Sequence, residues 1–241
     1  MFDREKYLIK KAINDAGLPF GNYFIAGGAC TSIFSNTKIN DLDVYCRDID
    51  SFCKMSNFFS KVDGDGNYVN HLLAETLNAD TYKCKNTTVQ LIKKYFLPPE
   101  QLIEKFDFTI CMCAYDVQAD EFVMGKDFIY DLSKRSLRFT GKTEYPIASL
   151  CRMKKFLKRD FNVSAVDMIA IALSINNLHM GTFKDLKEQL EGIDTSLLSD
   201  LTDAFMDRKD ARYEMTEVLS LMDEKLTQKY MNEVVDTKGV N

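Results

Sequence analysis

The sequence predicts an α+β fold, an α/β N-terminal half followed by an all-helical C-terminal half, on three observations. A short apolar run, Tyr23 to Ala26, leads into Gly27 and Gly28; about a dozen residues later Asp41-Leu42-Asp43 opens a second apolar run, Val44-Tyr45. Phe108 to Tyr115 is a continuous apolar stretch of strand length. From Pro146 onward the character changes, because apolar residues recur with a period near ~3.6, prolines stop and β-branched runs thin out.

The elements follow in order. Residues 3 to 16 read as a helix, with Tyr7, Leu8, Ala12 and Ile13 on one face and Gly17 as its C-cap. Leu18 to Gly21 turns into the first strand, Tyr23 to Ala26. A helix follows over Cys30 to Phe34, then strand two over Leu42 to Cys46 and a helix over 49 to 61. Gly64-Asp65-Gly66-Asn67 reads as a turn or mobile loop. In the segment 68 to 97 only two strands stand out, Ala79 to Lys85 and Thr87 to Ile92, joined at Asn86. Pro98-Pro99-Glu100 opens a short helix to about Lys105, proline being well tolerated at a helix start. Phe108 to Tyr115 is the central strand, Phe122 to Met124 its hairpin partner, and Phe128 to Leu132 and Leu137 to Phe139 short β or mixed segments. Helices are predicted at 146–160, 164–179, 183–191, 195–207 and 211–234. Ser164-x-x-Asp167 and Thr182-x-x-Asp185 have the form of capping boxes.

Composition narrows the class. With 46% hydrophobic and 28% charged residues, the chain is an ordinary globular protein. No run approaches the ~20 apolar residues of a membrane span, and the mixed-charge start MFDREKYLIKKA is not a signal peptide. Seven scattered cysteines, an odd number, suit reduced thiols in a cytoplasmic setting. With two histidines, the chain lacks the paired ligands of a usual zinc site. The net charge of −5 argues against broad nucleic-acid binding, but it is unevenly spread. Lys134 to Asp160 holds nine Lys or Arg against two acids, a balance of +7 that leaves −12 for the rest. A basic segment on an acidic chain suits a focused phosphate site.

Residues two apart on a strand point to one side, so Asp41 and Asp43 project together while Leu42 and Val44 face the core. Adjacent carboxylates repel unless a cation lies between them. A glycine turn beside them lets a phosphate approach the backbone without a Cβ in the way. The simplest chemistry for this arrangement is a divalent metal held against a phosphate.

Those residues resemble the signature of the DNA polymerase β nucleotidyltransferase superfamily: a hydrophobic strand, Gly-Gly or Gly-Ser, about a dozen residues, Asp-x-Asp between apolar residues, and a later acid on another strand. The third acid here is Asp107, within Lys105-Phe106-Asp107-Phe108-Thr109-Ile110-Cys111. The resemblance covers roughly residues 20 to 115, with a looser echo to about 160. It implies a palm, a mixed β-sheet with flanking helices, over residues 1–145, followed by a helical domain over 146–241. It also implies two Mg²⁺ ions on Asp41, Asp43 and Asp107, with Asp107 on the catalytic ion alone, helping to deprotonate the acceptor hydroxyl. Gly27, Gly28 and Ser32, the last on the first turn of the helix after the glycines, would bind the nucleotide's phosphates. Arg152 and Lys155 resemble the basic helix of poly(A) polymerase and CCA-adding relatives that contacts the triphosphate. Arg138 and Lys142 precede it and would reach the same anion.

The implied reaction moves a nucleoside monophosphate from an NTP to an acceptor hydroxyl and releases pyrophosphate. RNA, of the tRNA 3′-end kind, is the acceptor named first. Ala29-Cys30-Thr31 follows the glycines where CCA-adding enzymes usually carry an arginine, and no Glu-Asp-x-x-Arg segment is present, which argues against CCA addition itself. Two alternatives stand beside this reading: a toxin-like or AMP-transferring enzyme acting on a protein or tRNA, and a non-catalytic nucleotide-binding module of the same fold.

Overall fold

The computed structural model describes residues 2–62, 64–65, 68–190, 211–212 and 214–220 of the 241-residue chain. The chain divides into two compact units, Met1–Thr143 with Phe156–Ala170, and Glu144–Lys155 with Ile171–Asn241.

The first unit is built on a seven-stranded sheet. Its strands are β1 (Tyr23–Ala26), β2 (Asp41–Cys46), β3 (His71–Glu75), β4 (Ala79–Cys84), β5 (Thr87–Ile92), β6 (Cys113–Asp116) and β7 (Glu121–Met124), in the order β3-β4-β5-β2-β1-β6-β7. Every pair is antiparallel except β2–β5, which is parallel. The first helix, α1 (Asp3–Ala16), buries Ile9, Ile13 and Ala16 and ends at Gly17. That glycine takes φ +72°, and the Leu18 amide donates back to the Ile13 carbonyl at 3.1 Å, the wrap-around closure that glycine permits at a helix end.

Period-2 alternation decides which face each residue serves. Tyr23 and Ile25 on β1, and Leu42 and Val44 on β2, are fully buried on the face that α2 (Gly28–Phe34) and α3 (Ile49–Phe59) cover. On the opposite face Phe24, Ala26, Tyr45 and Ala114 pack with Leu102 and Ile103 from the segment after Pro99. That segment is α4 (Pro99–Leu102), continued by a tighter turn over Ile103–Lys105. Arg47 and Asp116 form an ion pair at the β1 start, and Asp116 also accepts the Gln118 and Ala119 amides at 3.0 and 3.1 Å. The pair ties β2 to β6 across β1.

Three segments differ from the sequence reading. Phe108 to Tyr115 is not one strand: Phe108 makes a single bridge to Phe139, Thr109–Cys111 is a 3₁₀ turn, and β6 begins at Cys113. A buried apolar run looks the same as strand or turn, and here side chains chose the turn. Thr109 Oγ1 donates to Asp131 at 2.7 Å, and Thr31 Oγ1 donates to the Ile110 carbonyl at 2.6 Å. Phe128–Ser133 is a helix, α5, whose buried Phe128, Asp131 and Leu132 have helical spacing. The third difference is β3, in a stretch where the sequence predicted nothing.

Three later helices, α6 (Pro146–Leu157), α7 (Ala165–Asn176) and α8 (Phe183–Leu190), match predicted ones. The capping box at Thr182 forms in full, while at Ser164 only the serine half does, the Asp167 carboxylate accepting the Ser164 hydroxyl and the Phe139 amide instead. The Asp167 amide donates to Ser164 Oγ at 3.1 Å, and the Asp185 carboxylate accepts the Gly181 and Thr182 amides at 2.9 and 2.8 Å. On α6 the buried residues are Pro146, Ala148, Ser149 and Phe156, while Leu150 and Leu157 are exposed. Residues 215–220 are helical; the rest of the predicted helices 195–207 and 211–234 lies outside the described residues. Among the described residues no helix is long and apolar enough to cross a membrane, and all seven cysteines are free.

Candidate active site

The glycine turn sits at the end of β1. Gly27 has φ +70° and ψ −124°, a conformation a residue with a Cβ rarely adopts. Its amide donates to the Cys113 carbonyl at 3.0 Å, and its carbonyl accepts the Thr31 amide at 3.1 Å. Gly28 opens α2, and a Cβ placed on it would meet nothing within 4 Å. The backbone at this point is therefore open to an incoming group. Ser32, expected on the first turn of the helix, lies one turn deeper and is buried, because α2 already begins at Gly28.

The strand register brings the acids to this turn. Asp43 is the partner of Ala26, the last residue before Gly27. A Cβ on Gly27 would stand 3.8 Å from Asp43 Oδ2. Asp41 lies two residues earlier on the same side of β2, and both carboxylates are half-buried while Leu42 and Val44 are fully enclosed. On the other flank Asp41 and Asp43 pair with Thr88 and Gln90 of β5. The expected projection of the two acids to one face is what the sheet produces.

Asp107 is 3% exposed. Its segment is clamped by Thr140, whose amide donates to the Asp107 carbonyl at 2.8 Å and whose hydroxyl donates to the Phe106 carbonyl at 2.7 Å. The Phe106 ring stands 3.8 Å from a Cβ on Gly27 and packs edge-on against Tyr45. The segment that carries Asp107 thus runs alongside the glycine turn. Among the described residues, however, no three His, Cys, Asp or Glu side chains converge closely enough to hold a metal ion. A ready-made three-carboxylate cage is absent there. The Asp41–Asp43 pair fits Mg²⁺ in the mode that ion commonly takes, one or two carboxylates completed by substrate phosphate and water.

Two of the predicted basic residues have carboxylate partners. Arg138 donates to Asp131 at 2.6 Å and to Asp127 at 3.2 Å. The Asp131 hydrogen bond raises the guanidinium's pKa above its ordinary value, against the opposing pull of desolvation. Lys142 is bonded to Glu104. Arg152 and Lys155 lie three apart on α6, within the second unit, with Arg152 half-exposed and Lys155 exposed.

Sequence reasoning missed the group that shapes the turn after Asp107. Asp131, fully buried, accepts from Thr109 and Arg138 together. The one signal was an acid amid apolar residues, Phe128-Ile129-Tyr130-Asp131-Leu132, which is awkward to bury without partners. One buried thiol, Cys113, adjoins the turn, and another, Cys46, is buried at the far end of β2. Burial, with a smaller contribution from the Cys30 thiol, raises Cys113 well above the usual cysteine range, and burial pushes Cys46 up to about 12. Thiols of that kind are poor nucleophiles at neutral pH. A cleft of about 600 Å³ between Phe20 and Lys61 borders Tyr23 and Asp48, at the opposite end of β1 and β2, and holds none of the predicted site residues.

The seven-stranded mixed sheet and its flanking helices define a nucleotidyltransferase fold. Solved structures with that fold include a CCA-adding enzyme in complex with CTP, at TM-score 0.53 and 16% identity, covering 84% of this chain and 54% of that one. A CCA-adding enzyme with ATP matches at TM-score 0.51 and 15% identity, covering 85% of this chain and 51% of that one. At such identities the likeness speaks for the fold alone. The chain belongs to the Gabija anti-defense 2 family, whose model matches residues 3–135. It is 33% identical over 214 residues to Gabija anti-defense 2 of Bacillus phage SPbetaL7, a match that takes in 88% of this chain and 51% of that protein. The chain thus spans about half the length of the curated relative it matches.

Proposed function

We propose that the chain is a Mg²⁺-dependent nucleotidyltransferase that moves a nucleoside monophosphate from an NTP to an acceptor hydroxyl with release of pyrophosphate. The observation that carries this reading is the packing of the Asp43 carboxylate against the Gly27 turn, with Asp41 on the same face. In this reading residues 1–145 form the catalytic palm and 146–241 the helical domain. Asp41 and Asp43 would hold Mg²⁺, which when bound would supply charge neutralisation at the triphosphate and ease deprotonation of the acceptor hydroxyl. The Gly27–Gly28 backbone makes room for the phosphates. Asp107 is the third acid, kept beside the turn by Phe106 and Thr140. By the resemblance Arg152 and Lys155 are assigned to the triphosphate, with Arg138 and Lys142, bonded to Asp131 and Glu104, before them toward the same anion.

RNA of the tRNA kind is the first acceptor on the strength of the basic segment 134–160. Family membership favours a second reading of the same chemistry. An anti-defense protein works by interfering with a host component, so the hydroxyl acceptor can equally be carried by a protein or RNA of the defended cell, in the cytoplasm. The experiment supplies purified protein with Mg²⁺, each α-labelled NTP in turn, cellular RNA and protein lysate. The expected result is label in an RNA or protein band, abolished in Asp41→Asn and Asp43→Asn with circular dichroism unchanged. Full activity in both variants would sink the assignment, and Mg-NTP binding without transfer to any acceptor would replace it with the non-catalytic module.

A further inference from the structure

Two helix ends meet at the far end of the segment that clamps Asp107. α5 closes with the Arg135 amide on the Leu132 carbonyl at 3.1 Å and the Ser136 amide on the Asp131 carbonyl at 2.8 Å. α6 closes the same way, with the Asp160 amide on the Leu157 carbonyl at 3.1 Å and the Phe161 amide on the Phe156 carbonyl at 3.2 Å. Ser136 and Asn162 form a bridge, and the Asn162 amide donates to the Arg135 carbonyl at 2.7 Å, so the two ends are joined. All of these residues belong to the first unit.

The joint gathers four cations, Lys134 and Arg135 from one end and Lys158 and Arg159 from the other. Lys134, Arg135 and Lys158 are exposed, and Arg159 is half-buried. Arg135 Nη1 donates to the Arg159 carbonyl at 3.0 Å, and its guanidinium lies over the Phe161 ring, 5.9 Å from the centroid. These contacts orient the planar fork and leave its remaining N–H donors for another group. Among the described residues none of the four makes an ion pair, unlike Arg138 and Lys142. Asp160, also exposed, is the acid within the cluster. A cation near a helix C-terminus complements the dipole, but that does not account for Arg135. It takes φ +51°, at the position after the cap where glycine is the unstrained choice.

The cluster's chemistry selects its ligand. Four cations spread over two helix ends suit several phosphates in a row better than a single one. The whole chain carries −5, so a broad anionic surface would be repelled, whereas a single strand can follow the cluster alone. From Arg135 the chain runs through Leu137, bonded to Asn162, and Phe139, bridged to Phe108, to Thr140 on Asp107. Five residues span at most about 18 Å, so the cluster lies a few nucleotide steps from the Asp107 segment. We propose that Lys134, Arg135, Lys158 and Arg159 bind the sugar-phosphate backbone of a nucleic-acid strand. That this strand is the acceptor rests on the nucleotidyltransferase reading above; the binding itself does not.

Fluorescence anisotropy of the full chain with a short labelled single-stranded RNA, and with DNA of the same sequence, tests the proposal without any NTP. Binding is expected to weaken with salt, with a log–log slope approaching about −2.8 for four phosphate contacts at about −0.7 each. Lys134→Gln and Lys158→Gln should each raise the dissociation constant and reduce that slope by about 0.7. Arg135→Gly should weaken binding several-fold while thermal melts show the fold retained, because glycine suits the backbone there. Asp160→Asn should tighten binding. Binding of either strand supports the proposal, and the tighter one identifies the source of the phosphates. Asp43→Asn should bind as the wild type does, so a failure of transfer and a failure of binding are told apart. No binding of either strand at low salt overturns the proposal. So does binding whose affinity and salt slope are unchanged in the Lys134→Gln, Lys158→Gln double variant.

Discussion

At the residue scale the site depends on a few atoms in fixed relation. Gly27 holds a backbone angle that a side chain would strain, and in doing so sets its own position against Asp43. Asp131 acts at a distance from the acids but controls the turn between Asp107 and β6, because Thr109 and Arg138 both end on its carboxylate. Asp131→Asn removes the charge and leaves one of these donors poorly matched in a buried site, at an expected cost of about 1–3 kcal/mol. A thermal melt checks it, and an unchanged midpoint would show that the network does not hold the turn. Thr109→Val, which deletes a single neutral donor, is expected to cost less. Asp41 and Asp107 show how differently one residue type is read. Asp41 was legible from its spacing to Asp43, since alternation on a strand is a local rule. The burial of Asp107 followed from its apolar neighbours, but the clamp from Thr140, over thirty positions on, has no local signature.

At the element scale, helix ends were the most legible features. Gly17, Ser164 and Thr182 mark boundaries because each satisfies backbone groups within a few residues of itself. The Asp185 carboxylate accepts the Gly181 amide, then the Thr182 amide and hydroxyl, and these bonds hold its pKa below the ordinary 3.8. A carboxylate with a lowered folded pKa stabilises the fold above its unfolded pKa, and that contribution is lost as pH falls through the folded value. Asp185→Asn is therefore expected to lower the melting midpoint at neutral pH and to leave a shallower decline below about pH 4. Melts from pH 7 to pH 2.5 would expose the error as parallel curves for the two proteins. Strands without alternation were harder. α5 and the turn at Thr109–Cys111 both came from apolar runs, read from sequence as β or mixed and as β respectively, and side-chain hydrogen bonds to distant partners fix them.

At the scale of the whole molecule, a nucleotidyltransferase sheet belongs to a family named for counteracting a defense, and its Asp41–Asp43 pair lies beside an open glycine backbone. If that site takes a Mg-NTP, the folded state is stabilised by mass action. At about a hundred times the dissociation constant this amounts to about 2.7 kcal/mol, or roughly 5–10 °C at 2–4 °C per kcal/mol for a chain of this size. The rise is expected with Mg²⁺ and NTP together, and to vanish with chelator or in Asp43→Asn. An equal rise in Asp43→Asn would place the nucleotide elsewhere.

The sequence by itself determined the order of the first strands and helices, the glycine turn, the side to which Asp41 and Asp43 project, and the caps of the later helices. All of these follow from neighbours within a few positions, through alternation, turn geometry and capping. Only the tertiary structure decided that Asp43 abuts Gly27, that Thr140 and Phe106 hold Asp107 beside the turn, that Arg138 is engaged by Asp131, and that β3 is the outermost strand on its side of the sheet among the described residues. Each depends on strand register and packing between residues far apart in the chain, and no local pattern encodes which distant partner a side chain will meet.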